Sequence, residues 1–340
     1  MAQCDDRRVT GRERDTAEWY RAFAAQTAVA SPIYSEWADA TAADTATIEL
    51  LDRLPEQHRQ PPLVFAVASL LGARGSADPH AFLGFLREHE EELVRELERR
   101  PMQTNEPGRC AALLLALERI EGPVALLELG ASAGLCLVPD RYSYDYSGSA
   151  LHPADGPSPV RLSCTVGPGV TPPTRLPEVV WRAGVDLAPL DVADAADVAW
   201  LDALVWPGQH DRLARVRAAR DVVRAHPPLR LRGDAEERLD ELLAGVPDGA
   251  TPVIVTAGVL VYLPGRRRGT LVDRILSSGA RWVSLEGASV LPGVERRLTE
   301  AGHAADALRG RFVVALDGHP LAFCGPYGET LEACAVPSGA

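Results

Sequence analysis

The order of apolar and polar positions divides the chain in two. From about Thr16 to Ile120 the pattern is helical, most clearly in "DPHAFLGFLREHEEELVRELERR", where Phe82, Leu86, Leu93 and Leu97 fall on one helical face with charges on the other. Asp78 followed by Pro79 reads as a helix start, because proline is pre-set for the first turn and its missing N–H costs nothing there. Pro32, Pro55, Pro61, Pro62 and Pro101 interrupt the region, which predicts about six helices and no strand. After Gly122-Pro123 the pattern changes. "VALLEL" is a short apolar run of the kind buried on both faces of a parallel sheet.

Further strand-like runs follow: "RYSYDY" (141–146), "LRLRGD" (229–234), "PVIVTAGVLVYL" (252–263), "RWVSLEG" (281–287), "RFVVAL" (311–316) and "PLAFCG" (320–325). Helical stretches at Ala235–Ala244 and Arg267–Ser278 lie between them, an alternation that predicts an α/β, doubly wound, Rossmann-like sheet. Only "DGH" joins the last two runs, so the sheet is expected to end in an antiparallel hairpin. The segment 147–228 is too long for an ordinary connection. It reads as an insertion over the substrate side, with a strand pair at 160–166 and 179–185 and helices at 195–205 and 208–225. The expected organisation is a helical subdomain over 1–120 and a sheet domain over 121–340.

Charge narrows the partners. A formal net charge of -12 argues against a general nucleic-acid or membrane-surface role, since polyanions are repelled on average. All 35 basic residues are Arg, which removes Schiff-base chemistry and any phosphate-binding or catalytic lysine. Cys4, Cys110, Cys136, Cys164, Cys324 and Cys334 are scattered, without ligand spacing, and read as free thiols with no metal site. "MAQCDDRRVTGRERD" lacks the apolar core of a signal peptide, and no segment is long and apolar enough for a membrane span, so the expected location is the cytoplasm.

Candidate chemistry centres on "LLELGASAGLCL", Leu126 to Leu137. Gly130-Ala-Ser132-Ala-Gly134 matches the nucleophile elbow of serine hydrolases, yet here it follows the first strand. No oxyanion loop exists upstream, and Asp317 and His319 are too close in sequence to act as separate triad members. The order fits better a glycine turn at the switch point of a doubly wound sheet, where a nucleotide-type cofactor lies. Gly130 and Gly134 would let the ligand approach the backbone, Glu128 and Asp145 would serve its amine and ribose hydroxyls, Asp234 stands where such a fold places an adenine contact, and Ser132 completes the cofactor set. The third glycine of a dinucleotide fingerprint is missing. S-adenosylmethionine, a mononucleoside sulfonium, needs no pyrophosphate cradle.

"QTNEPGRCAALL", "LLELGASAGLCL", "DRYSYDY", "WRAGVDLAPLDV", "WLDALVWPGQHDR", "LRGD" and "ARWVSLEG" resemble the uncharacterised bacterial domain-of-unknown-function family 2332, over roughly 101–325. The resemblance implies a class I methyltransferase-like fold and leaves the reaction open. Cys136 stands where that family usually has Asn, and Thr256-Ala257 where it usually has His-Ser.

Other candidates carry bland alternatives. "TNEPGR" opens the helix before the first strand; antiparallel packing would return Asn105, Glu106 and Arg109 to the glycine turn, but Thr104 or Asn105 capping and Pro107 in the first turn explain the same residues. Asp234 reads equally as the N-cap of the helix beginning at Ala235, and Glu286 as a solvated loop carboxylate. His210 beside Asp211 has the makings of a general base with Trp206 as an aromatic wall, against a surface helix start with a core Trp. The expectation is an S-adenosylmethionine-dependent methyltransferase acting on an O or N atom of a small molecule. Glu106, His210 and Asp211 are its candidate acid–base groups, and Asn105, Arg109 and Trp206 its substrate contacts. A catalytically inactive binding or scaffold protein is the alternative, and a serine hydrolase the third reading.

Overall fold

The computed structural model describes residues 15–73 and 77–334. Cys4 and most of the N-terminal stretch read above for a signal peptide lie outside them. The chain forms two compact units, one comprising the residues up to Asn105 with Leu190–Arg217, the other Glu106–Pro189 with the rest.

The first unit is helical: α1 (Thr16–Thr27), α2 (Pro32–Ala43), α3 (Thr45–Asp52), α4 (Pro61–Ala68), α5 (Pro79–Glu88) and α6 (Glu90–Arg99). Asp78 caps α5 as its position predicts, its Oδ1 accepting the His80 N–H at 2.9 Å. The amphipathic run breaks at His89, and its four marker residues are all buried. They feed an aromatic core in which Trp37 stacks on Phe82 with ring centroids 4.0 Å apart and Phe65 meets both. The unit also takes a later excursion of the chain, with α8 (Ala195–Ala203) and the start of α9 (His210–Ala225).

The second unit is built on α7 (Arg109–Leu117) and a sheet. Every residue of α7 is buried, as an all-round apolar run requires. The parallel strands are β1 (Pro123–Leu129), β5 (Glu178–Asp186), β6 (Leu229–Arg232), β7 (Thr251–Ala257) and β8 (Arg281–Gly287). They run β6-β5-β1-β7-β8, so the chain leaves β1 first toward one side and later toward the other. That is the order of a doubly wound sheet, with its switch point between β1 and β7. One face is covered by α10 (Ala235–Ala244), α11 (Gly265–Ser277) and α12 (Pro292–Glu300), which supply Leu239, Leu271, Ile275 and Leu298 to a core with Leu127, Ile254 and Trp282. The other face takes α7 against β8.

Two expectations change. β9 (Phe312–Leu316) and β10 (His319–Cys324) form the expected hairpin, but it does not end the sheet. β11 (Thr330–Ala333), β4 (Arg161–Val166), β2 (Ser143–Tyr146) and β3 (Ser149–Leu151) continue it to eleven strands. The segment 147–228 is also divided: β4 and β5 do not pair with each other, and β5 lies directly beside β1 as a central strand. Its half-polar run "EVVWRAGVD" hid this, because only its carboxyl half, Ala183 to Val185, is fully buried.

The aromatic stack gives a test of the helical unit. Phe82→Ala leaves Trp37 facing a void and is expected to cost about 3–5 kcal/mol, read as a lowered urea midpoint with a loss of near-ultraviolet circular dichroism.

Candidate functional site

The parallel strands end at a common edge, and there the glycine turn sits. Gly130, Ser132 and Gly134 have φ of 79°, 47° and 74°. The N–H groups of Gly130 and Ala131 both donate to the Val185 carbonyl at the end of β5, at 2.8 and 3.1 Å. Asp186, the next residue, takes the Ser132 N–H on Oδ2 at 2.9 Å and the Ala188 N–H on Oδ1 at 2.8 Å. The left-handed backbone of Ser132, costly for a residue with a Cβ, is thus held by a charge-assisted bond.

The start of α7 reaches the same edge, as antiparallel packing predicts. Arg109 donates from Nη1 to the Ala257 carbonyl at the end of β7, at 2.6 Å, and from Nε to the Pro326 carbonyl at 3.1 Å. The Cys136 thiol donates to the Glu106 carbonyl at 3.5 Å. The capping arrangement differs from expectation. The helix begins at Arg109 after Gly108, without a side-chain cap, and Glu106 Oε1 accepts the Gly108 N–H at 2.8 Å. Neither Thr104 nor Asn105 caps it, because the Pro107-Gly108 turn intervenes. Glu106 and Arg109 are buried, at 1% and 3% exposure.

Two carboxylates dominate the electrostatics. Glu128 is held well above the usual carboxylate range by burial and by the neighbouring Cys136, against which Arg109 pulls downward. Glu286 is fully buried, where the sequence suggested a solvated loop. Burial pushes it up to about 7, opposed by the N–H groups of Leu260 and Val259 and by Arg109. Its Oε1 accepts those N–H groups at 3.3 and 3.2 Å. Glu128 Oε2, Ser132 Oγ and Glu286 Oε2 are buried without a hydrogen-bond partner. Such groups are normally paired, so three orphans along one strand edge mark a place where a ligand's polar atoms would be accommodated.

Asp145 is on β2, seven places from β1 in the sheet, exposed, and its Oδ1 takes the Gly148 N–H at 2.7 Å as a turn contact. The acid at the end of the strand beside β1 is Asp186, which sequence reasoning missed; its signal was an Asp closing the apolar end of "WRAGVD". Asp234 is at the carboxyl edge of β6 but is committed, capping α10 through the Glu236 N–H at 2.9 Å and pairing with Arg267 at 2.8 Å. Asn105, Trp206, His210 and Asp211 belong to the helical unit. Asn105 is buried, Trp206 packs against Phe23 and Tyr34 in the aromatic core, and His210 and Asp211 are exposed in the first turn of α9. Thr256 is buried and accepts the Trp282 indole N–H at 3.2 Å. Asp317 pairs with Arg281 and lies in the turn after Leu316, which pairs with Val283 near the amino end of β8, and His319 follows as the first residue of β10. Both are therefore at the edge opposite Ser132. Among the described residues no group of three or more His, Cys, Asp or Glu side chains is placed to hold a metal ion.

The glycines serve packing as well. A Cβ on Gly130 would meet Val259 Cγ2 at 2.5 Å, and one on Gly134 would meet Pro228 Cγ at 3.0 Å.

The model of a bacterial family described as an uncharacterised conserved protein, domain-of-unknown-function family 2332, matches residues 17–332, and the chain belongs to that family. No curated protein and no solved structure matches the chain.

The Val259 contact makes Gly130 testable apart from any ligand. Gly130→Ala is expected to destabilise by roughly 2–4 kcal/mol, the sum of a left-handed backbone and overpacking. Adding Val259→Ala removes the 2.5 Å contact but keeps Val259 Cβ at 2.9 Å, so it should recover only part of the overpacking and leave the backbone part, as chemical denaturation of the two variants would measure.

Proposed function

We propose, for this member of the uncharacterised bacterial family, S-adenosylmethionine-dependent methyl transfer to an O or N atom of a small molecule, at the switch-point edge of the sheet. The observation that carries the reading is the pair Glu128 Oε2 and Ser132 Oγ, two buried polar atoms without partners on the turn that follows β1. A sulfonium cofactor carries a positive centre, an amine and ribose hydroxyls, the donors that such acceptors lack. Glu128, Gly130, Ser132 and Gly134 would hold it, with Asp186 in the place first given to Asp145.

The bound cofactor supplies an activated methyl group. The chain's part is positioning, exclusion of water and removal of one proton from the acceptor. Arg109 ties the start of α7 to the carbonyl that ends β7, fixing two sides of the crevice against each other. Glu106 is the base candidate within the sheet unit, buried and already aimed by its bond to the Gly108 N–H.

A second reading, a binding protein without catalysis, draws on Val259 over Gly130 and Pro228 over Gly134, which fill the space a close backbone approach would use. The hydrolase reading has little support. Ser132 Oγ has no hydrogen-bond partner, and Asp317 and His319 are at the far edge.

Calorimetry with S-adenosylhomocysteine tests the reading. Binding is expected, weakened about tenfold, or ~1.4 kcal/mol, by Glu128→Gln and by a smaller factor by Ser132→Ala, which removes one neutral hydrogen-bonding group. Absence of heat and of any thermal shift at about 1 mM ligand would sink it, and labelling of Ser132 by a serine-reactive phosphonate would restore the hydrolase.

A further inference from the structure

The turn after β7 covers the glycine turn and is itself seated on Glu286. Gly258, with φ of 72°, leads out of β7, and its N–H is tied to the Leu285 carbonyl at 2.8 Å. Val259 then places Cγ2 2.5 Å from where a Cβ on Gly130 would be. The N–H groups of Val259 and Leu260 both lie on one oxygen of Glu286, a side chain with 0% exposure. The other oxygen is buried and unpartnered. Arg109 of α7 is the charged group that faces this carboxyl among the described residues; α11 sends Arg268 only to the Leu260 carbonyl, at 3.5 Å, and β9 presents Val313 across the register.

We propose that the turn formed by Gly258 to Leu263 is a gate over the glycine turn, closed while Glu286 is neutral and opened when Glu286 ionises. The charge balance is what drives it. An ionised carboxylate has one oxygen met by two N–H groups and the other met by none, so closure leaves half of the charge without hydration or hydrogen bonds. A neutral carboxyl tolerates the same seat. Opening brings water to Oε2 and lifts Val259 off Gly130.

The sign follows from linkage. Burial raises Glu286 to about 7 in the closed form, and exposure to water returns it to the ordinary carboxylate range. The closed form is therefore fully favoured below that range and is lost as pH rises through about 7. The gate extends the switch-point reading above, since it controls access to the same turn, but its test needs no ligand.

Site-resolved amide exchange at about pH 6 and pH 8, corrected for the intrinsic rate, reads the gate directly. Protection of the Val259 and Leu260 amides is expected to fall about tenfold between the two pH values, while the Val253 to Val255 amides inside β7 hold theirs. Glu286→Gln, neutral at both, should keep the two amides protected throughout. Equal protection at both pH values, or a Glu286→Gln protein that follows the wild type, overturns the gate, and so does a parallel loss inside β7, which is global destabilisation. The wild-type comparison decides by itself should the variant not fold. Failure of S-adenosylhomocysteine to bind would remove the methyl-transfer reading and leave this result standing.

Discussion

The carboxyl edge of the sheet is organised around one buried guanidinium. Arg109 is 3% exposed, donates to the carbonyls that end β7 and begin the turn after β10, and faces both Glu128 and Glu286. A buried cation is costly unless paired and hydrogen-bonded, and two buried acids are costly without one. Each part therefore requires the others. The planar fork of arginine can bond two carbonyls from separate elements at once, which the single ammonium of a lysine cannot do as well. Three segments distant in sequence, the start of α7, the end of β7 and the loop before β11, are fixed against one another by this side chain.

The glycine motif could not be interpreted by composition alone because its residues answer two demands at once. Gly130 needs a positive φ and a bare Cα for Val259, and both needs would exist in a protein that binds nothing. Ser132 has a left-handed backbone with neither demand, held there by Asp186. A residue kept in an unfavoured conformation by a charged bond is a stronger sign of function than a glycine that packs well. The polar atoms left over, rather than the glycines, mark the candidate site.

Much of the fold was legible because its signals are local. The Asp78-Pro79 start, the helix at Ala235–Ala244 and the run at 281–287 each rest on a few adjacent residues, and each stands where the pattern places it. What was not legible depends on the order of strands. Of the run at 141–146, Ser143–Tyr146 is strand, but it pairs with β3 and β4 instead of β1, so the acid that ends the strand beside β1 is Asp186 and not Asp145. Nothing in a strand's own residues says which strand lies next to it. The burial of Glu286 was hidden for a similar reason: the turn that covers it comes from a segment that ends some twenty-five residues earlier, and a carboxylate at a strand end is normally wet.

Tyr142, Tyr144 and Tyr146 are buried, and their hydroxyls tie separate segments together. They donate to the carbonyls of Leu135, Pro139 and Ala111, at 2.7, 2.6 and 2.8 Å. Two of those carbonyls lie in the irregular chain that follows the glycine turn, the place where a doubly wound fold ordinarily starts a helix, and the third lies in α7. The phenols therefore rivet that chain to a remote strand and to the buried helix. The chain after the glycine turn is an anvil, stitched from behind by side chains that cannot be drawn out without emptying the core.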